Sequence, residues 1–172
     1  MNAVLESLKN RRSVRKYKPE PITRPELEAV LEAALYAPTA MGAQRACVVA
    51  VTNQEERDLL SRLNGAVMNN PNDPVYGAPT VCVVFGDGTW AQGVKDASLV
   101  MGNMLNAAYA LGLGGCWIDR AKEVFETEEG KALMKKWGVP EGYVGIGNCI
   151  LGYPDETPEP KPRKEGYVIY AE

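Results

Sequence analysis

Five residues near the start of the chain, Arg11-Arg12-Ser13-Val14-Arg15, put three guanidinium groups and a hydroxyl together in a protein whose net charge is −3. A guanidinium is a rigid fork of donors that matches phosphate oxygens two at a time, and a hydroxyl adds one more short donor. The spacing therefore makes a candidate anion site suited to a phosphoester. Lys161-Pro162-Arg163 supplies a second basic pair far along the chain. Taken singly, each cluster is also what a solvated charged face looks like, because exposure is the ordinary state of Lys and Arg.

One residue type is missing. The chain has no histidine, so it cannot build a Ser-His or Cys-His nucleophilic site or a histidine-ligated zinc from its own residues. Its four cysteines, Cys47, Cys82, Cys116 and Cys149, form no C-x-x-C pair and sit in apolar stretches, which suits small core residues better than ligands or disulfide partners. Redox or group-transfer chemistry would have to come from a bound cofactor, leaving the protein to hold and orient it. An acidic pI near 5.2, with positive charge only local, argues against the broad basic surface of a nucleic-acid binder.

The elements that must position these groups follow from composition and pattern. With 172 residues, 45% hydrophobic and 24% charged, the chain reads as one globular domain, residues 1–172, large enough for one core. No apolar run approaches the roughly 20 residues of a membrane span, and the stretch from Met1 lacks the pattern of a signal peptide, so a cytoplasmic location is expected. Residues 2–10 read as a short helix. Thr23-Arg24-Pro25-Glu26 is a capping box opening a helix to about residue 36, whose apolar face is Leu27, Val30, Leu31, Ala34 and Leu35. Residues 46–52 and 80–86 read as strands covered on both faces. A helix at 54–63 precedes a long loop from Asn64 to Pro79. Residues 92–111 form a helix whose apolar surface is too wide for one side, so it is central or lies in a subunit interface. Gly112-Leu113-Gly114-Gly115 closes it before a strand near 116–118. A helix at about 123–137, a strand at 143–151 and a proline-rich extended tail complete the chain.

The ordered set of segments resembles the nitroreductase family of FMN-dependent oxidoreductases. It comprises Arg11 to Tyr17, Ala37-Pro38-Thr39-Ala40-Met41-Gly42-Ala43-Gln44, Gly77-Ala78-Pro79 before a strand, Gly112 to Trp117, Leu151-Gly152-Tyr153-Pro154 and Lys161-Pro162-Arg163. Each is short, and it is their joint order over nearly the whole chain that is specific. The resemblance implies an α+β fold, a mixed β-sheet flanked by helices, in an intertwined homodimer with FMN sites in the interface. It implies that Arg11, Arg12 and Ser13 contact the flavin phosphate and ribityl chain, that Arg15 approaches the pyrimidine edge, and that Lys161 and Arg163 form a second phosphate clamp. Pro38, Thr39, Ala40, Met41 and Gln44 match a loop that meets the flavin from the partner subunit. Gly114 and Gly115 match a segment beside the flavin N5, where a side chain would block approach. Asn64 corresponds loosely to a residue bonding the isoalloxazine edge, and equally to a helix-terminating asparagine.

The implied reaction moves hydride from NAD(P)H through flavin to a nitroaromatic, quinone or similar acceptor by a ping-pong mechanism, with no catalytic side chain and no metal. Other readings of the same features are a flavin reductase or dehalogenase of this fold, and a non-catalytic flavin-binding protein that stores or senses FMN. Departures from the family pattern fall at Gly42, Arg45 and Ala46, and the short 64–91 segment marks a compact member. Tyr36, Met41, Met68, Tyr76, Trp90 and Trp117 could line the open flavin face, though such residues also serve as core.

Overall fold

The computed structural model describes residues 2–171; Met1 and Glu172, at the ends of the expected domain, lie outside them. In chain order the elements are α1 (Ala3–Asn10), α2 (Arg24–Leu35), a 3-10 turn at Ala40–Gly42, β1 (Ala46–Val51), α3 (Gln54–Met68), β2 (Thr80–Asp87), α4 (Gly93–Ala110), β3 (Gly114–Ile118), α5 (Ala121–Glu126), α6 (Glu128–Trp137) and β4 (Tyr143–Gly152). The strands form one sheet in the order β1-β2-β4-β3, every neighbour antiparallel. A parallel component enters through a single bridge between Ser13 and Gly115. This is the expected α+β layout.

The central strand β2 is buried at all eight positions. Its alternation sends Cys82 and Val84 to one layer, with Leu27 and Val30 of α2 and Met101 and Met104 of α4, and sends Val81, Val83 and Phe85 to the other, with Leu60 of α3 and Phe125 of α5. Burial of each large aliphatic side chain contributes about 1.5–3 kcal/mol, so the two layers hold the sheet from both sides. The strand β1 departs from expectation. It is an edge strand, and within one chain only Val51 of its six residues is buried.

Two boundaries also differ, and one helix is less covered than its apolar surface suggests. The helix α3 runs to Met68 and ends at Asn69 in the left-handed region (φ 51°), so the following loop is shorter than the turn residues Asn64 and Gly65 suggest. The helix expected at 123–137 is two helices broken at Thr127, whose hydroxyl donates to the Val124 carbonyl at 2.7 Å and accepts the Gly130 amide at 3.0 Å. The helix α4 buries Val100, Met101 and Met104 but leaves Val94 (57% exposed) and Leu99 (49%) uncovered by its own chain.

Candidate functional site

Beyond α1 the chain is extended and lies along β3. Ser13 bridges Gly115, and the Val14 amide donates to the Gly115 carbonyl at 3.1 Å. The arginine motif and the double-glycine motif, a hundred residues apart, are thus side by side. Extended backbone alternates its side chains, so Arg11, Ser13 and Arg15 share one side while Arg12 and Val14 share the other. Arg12 and Val14 together line a cavity of about 220 Å³ with Tyr109, Leu113 and Glu156. Arg12 Nη1 donates to the carbonyls of Lys9 and Arg11, both at 2.7 Å, occupying acceptors that the end of α1 leaves open. Arg11 and Arg15 thus flank Ser13 on one side, while Arg12 Nη1 bonds the end of α1.

Two guanidinium groups here have incomplete bonding: Arg12 Nε is buried without a hydrogen-bond partner, and so is Arg11 Nη1 on the Ser13 side. The Arg11 charge reaches the sheet interior: burial pushes the Cys149 thiol well above its ordinary pKa, Cys82 and Cys116 push the same way, and Arg11 pulls it back. A buried guanidinium donor with nothing to donate to costs free energy that an anion would recover.

Gly114 and Gly115 are needed for packing within the chain. A Cβ on Gly114 would lie 3.0 Å from Val14 Cγ1 and from Tyr17 Cε1, and a Cβ on Gly115 would lie 3.3 Å from Leu105 Cδ2. The space left by the missing side chains is filled by the chain itself. Tyr17, whose hydroxyl donates to the Val14 carbonyl at 2.6 Å, is held there with its pKa raised chiefly by burial.

The root of the tail is tied to the same segment. The Lys18 amide donates to the Tyr153 carbonyl at 3.0 Å, the Asp155 amide to the Lys16 carbonyl at 2.9 Å, and the Arg15 amide to the Glu156 carboxylate at 2.5 Å. Lys161 and Arg163 follow in an exposed stretch outside regular structure.

Asn64 does not terminate its helix, one of the two readings made of it. It lies inside α3, fully buried, donating through Nδ2 to the Asp119 carbonyl at 3.2 Å and accepting from Asn148 Nδ2 at 3.5 Å. The turn it supports carries Arg120 at φ 74°, a left-handed residue with a full side chain. Of the six candidate pocket residues, Tyr36, Met41, Met68 and Tyr76 are exposed, while Trp117 packs on the α2–α4 layer.

The 38–44 loop is a second, separate locus. Met41 (φ 56°), Gly42 (φ 63°) and Gln44 (φ 51°) are all left-handed, and Met41 is 91% exposed. Thr39 Oγ1 accepts the Gln44 amide at 3.1 Å, and Asp96 Oδ1 of α4 accepts the Ala40 amide at 3.0 Å. Arg45, one of the departures from the family pattern, pairs with Asp87 at 3.0 Å and stacks 4.7 Å over the Trp90 ring. Hydrogen bonds from Thr89, and then Arg45, hold the Asp87 carboxyl below its ordinary pKa. Asp96 escaped the sequence reading; the one signal was an acid in the first turn of an otherwise apolar helix.

The two loci lie toward opposite ends of α4. Asp96 holds the loop in the first turn, and Tyr109 meets the arginine segment in the last. Thirteen helical residues separate them, about 20 Å at 1.5 Å per residue.

The chain as a whole is similar to known proteins. The sequence model of the nitroreductase family matches residues 8–72 and 66–153. The chain superposes on a nitroreductase with bound FMN from Bacteroides fragilis at TM-score 0.92, with 30% identity over all of both chains. It superposes on one with bound FMN from Desulfitobacterium hafniense at TM-score 0.91, with 26% identity over all of both chains. It is 28% identical to the NADPH-flavin oxidoreductase of Vibrio harveyi over 100% of this chain and 74% of that protein. The extended arginine segment on β3, the antiparallel sheet and these matches agree: the chain belongs to the nitroreductase family.

Proposed function

We propose that residues 1–172 form one FMN-binding oxidoreductase domain, cytoplasmic and homodimeric, that carries hydride from NAD(P)H to a nitroaromatic, quinone or similar acceptor by a ping-pong route. The observation that carries this reading is the buried, unpartnered Arg11 Nη1 beside Ser13, a donor set whose chemistry fits a phosphate. Relatives named for NADPH and flavin, and neighbours crystallised with FMN, support the cofactor and the reductant.

FMN, when bound, supplies hydride-accepting and hydride-donating atoms that this histidine-free chain lacks. Arg11 and Ser13 would hold the phosphate end. Arg15 would supply positive charge to the pyrimidine edge, favouring negative charge there. Lys161 and Arg163, exposed on the tail that follows Asp155, would add a second pair of cations for the phosphate. Pro38, Thr39, Ala40, Met41 and Gln44 come from the partner, because about 20 Å of α4 separates that loop from the arginine segment of its own chain. Two copies also cover apolar surface that one copy leaves open: Val4, Leu5 and Leu8 of α1, Val94 and Leu99 of α4, and the tail residues Tyr167 to Tyr170. Such surface is characteristic of an interface.

Titration of flavin-free protein with FMN tests the assignment. Arg11→Ala should weaken binding by about 1.5–3 kcal/mol, the loss of a hydrogen bond to a charged group. Unchanged affinity would overturn it.

A further inference from the structure

We infer that Asp96 is a positioning residue that fixes the 38–44 loop in its flavin-contacting conformation; this rests on the reading that the loop meets FMN. Three of the four residues from Met41 to Gln44 bear on the backbone geometry: Met41, Gly42 and Gln44 sit at φ between 51° and 63°. For Met41 and Gln44 the left-handed region costs about 1–2 kcal/mol each, so something outside the loop must impose it. Inside the loop, only short-range bonds close the turn: the Gln44 amide donates to Thr39 Oγ1, and the amides of Gly42 and Ala43 donate to the carbonyls of Thr39 and Ala40. None of these fixes the turn relative to the rest of the protein.

Asp96 does. Its carboxylate reaches across 56 residues of sequence to accept the Ala40 amide at 3.0 Å. It is itself 4% exposed, and it stands in the first turn of the longest helix, a rigid base. Arg45–Asp87 pins the downstream end of the loop, but that pair has a half-exposed arginine and leaves the turn itself free. Asp96 Oδ2 is buried with no partner. No side chain compensates that oxygen, so a carboxylate costs more here than an amide of the same shape would, provided the amide keeps the acceptor for Ala40.

The bond can be removed from either side. Asp96→Ala deletes the acceptor, and Asp96→Asn keeps it through its carbonyl oxygen. Ala40→Pro deletes the donor without touching the core: Ala40 is the first residue of the 3-10 turn, where proline is tolerated, and Thr39 at φ −130°, ψ 149° suits a residue before proline. In FMN titrations, Asp96→Ala and Ala40→Pro should each weaken binding about tenfold, as expected for one lost buried hydrogen bond. Asp96→Asn should stay within about threefold of the parent, and the double variant should be no weaker than the worse single one. Hydrogen exchange at the amides of residues 40–44 should accelerate in the Asp96→Ala protein and not in Asp96→Asn.

Arg11→Ala serves as the reference. If it loses FMN while Asp96→Ala and Ala40→Pro bind normally, the positioning role is wrong and the flavin site stands. If Asp96→Asn loses as much as Asp96→Ala, the carboxylate acts by charge and the proposal also falls. If neither Arg11→Ala nor the loop variants change FMN affinity, the flavin reading itself fails. Should Asp96→Ala not fold, Ala40→Pro and Asp96→Asn decide the matter alone.

Discussion

The Asn64 side chain donates to the Asp119 carbonyl at 3.2 Å, joining the middle of α3 to the turn that leads β3 into α5. Asn148 Nδ2 of β4 donates to Asn64 Oδ1 at 3.5 Å and to the Ile118 carbonyl at 3.5 Å. Two buried carboxamides thus satisfy a backbone turn that carries Arg120 in the left-handed region. Replacing Asn64 by Ala strands the Asp119 carbonyl and leaves Asn148 Nδ2 with the Ile118 carbonyl alone. Urea denaturation should show a loss of about 1–3 kcal/mol, the cost of leaving buried polar groups unpaired. A loss below a few tenths of a kcal/mol would mean that the turn holds itself.

The loop after α3 depends on Asp73, whose carboxylate accepts Ser61 Oγ at 2.5 Å, Arg57 Nη2 at 2.7 Å and the amides of Val75 and Gly77 at 2.9 and 2.7 Å. Partial burial alone would raise its pKa, but these bonds together hold it below the ordinary aspartate value. A folded pKa below the unfolded one means stability that is present above about pH 4 and is lost as pH falls through the folded value. Asp73→Asn should therefore cost about 1–2 kcal/mol at pH 7, discounted because the side chain is over a third exposed. Thermal melts should show the gap between parent and variant closing below pH 4; a gap independent of pH would refute the electrostatic account.

Gly114 separates a packing role from a ligand role. Its missing Cβ would press on Val14 and Tyr17 at 3.0 Å, so Gly114→Ala should destabilise the fold by about 1–3 kcal/mol, the cost of overpacking. Denaturation midpoints of flavin-free protein check this. Full stability combined with lost FMN affinity would instead return the glycine to the flavin face.

Much of this was legible in the chain. The Thr23-Arg24-Pro25-Glu26 box announces α2, and the structure shows both of its reciprocal bonds. The β-branched run of β2 reads as a strand covered on two faces and is one. What misled was local chemistry overruled by distant partners. Asn64 and Gly65 are turn residues by propensity, yet they stay helical because Asn64 has a buried partner on Asp119. The break at Thr127 was hidden because the helical pattern continues on both sides of it. That Arg12 Nη1 bonds the end of α1 was not legible, because adjacency in sequence does not reveal that extended residues alternate sides. Asp96 gave only the signal of an acid in the first turn of a largely apolar helix, since its meaning lies in a bond to an amide 56 residues away.

The central claim, a nitroreductase-family flavoenzyme served by NAD(P)H, is tested most directly by mixing FMN-loaded protein anaerobically with NADH or NADPH and following the flavin absorbance. Bleaching by at least one nicotinamide, recovery of the absorbance on adding a nitroaromatic or quinone, and parallel double-reciprocal lines when both substrates are varied are the results expected. Absorbance unchanged by either nicotinamide would contradict the account and leave a protein that binds flavin without turning it over.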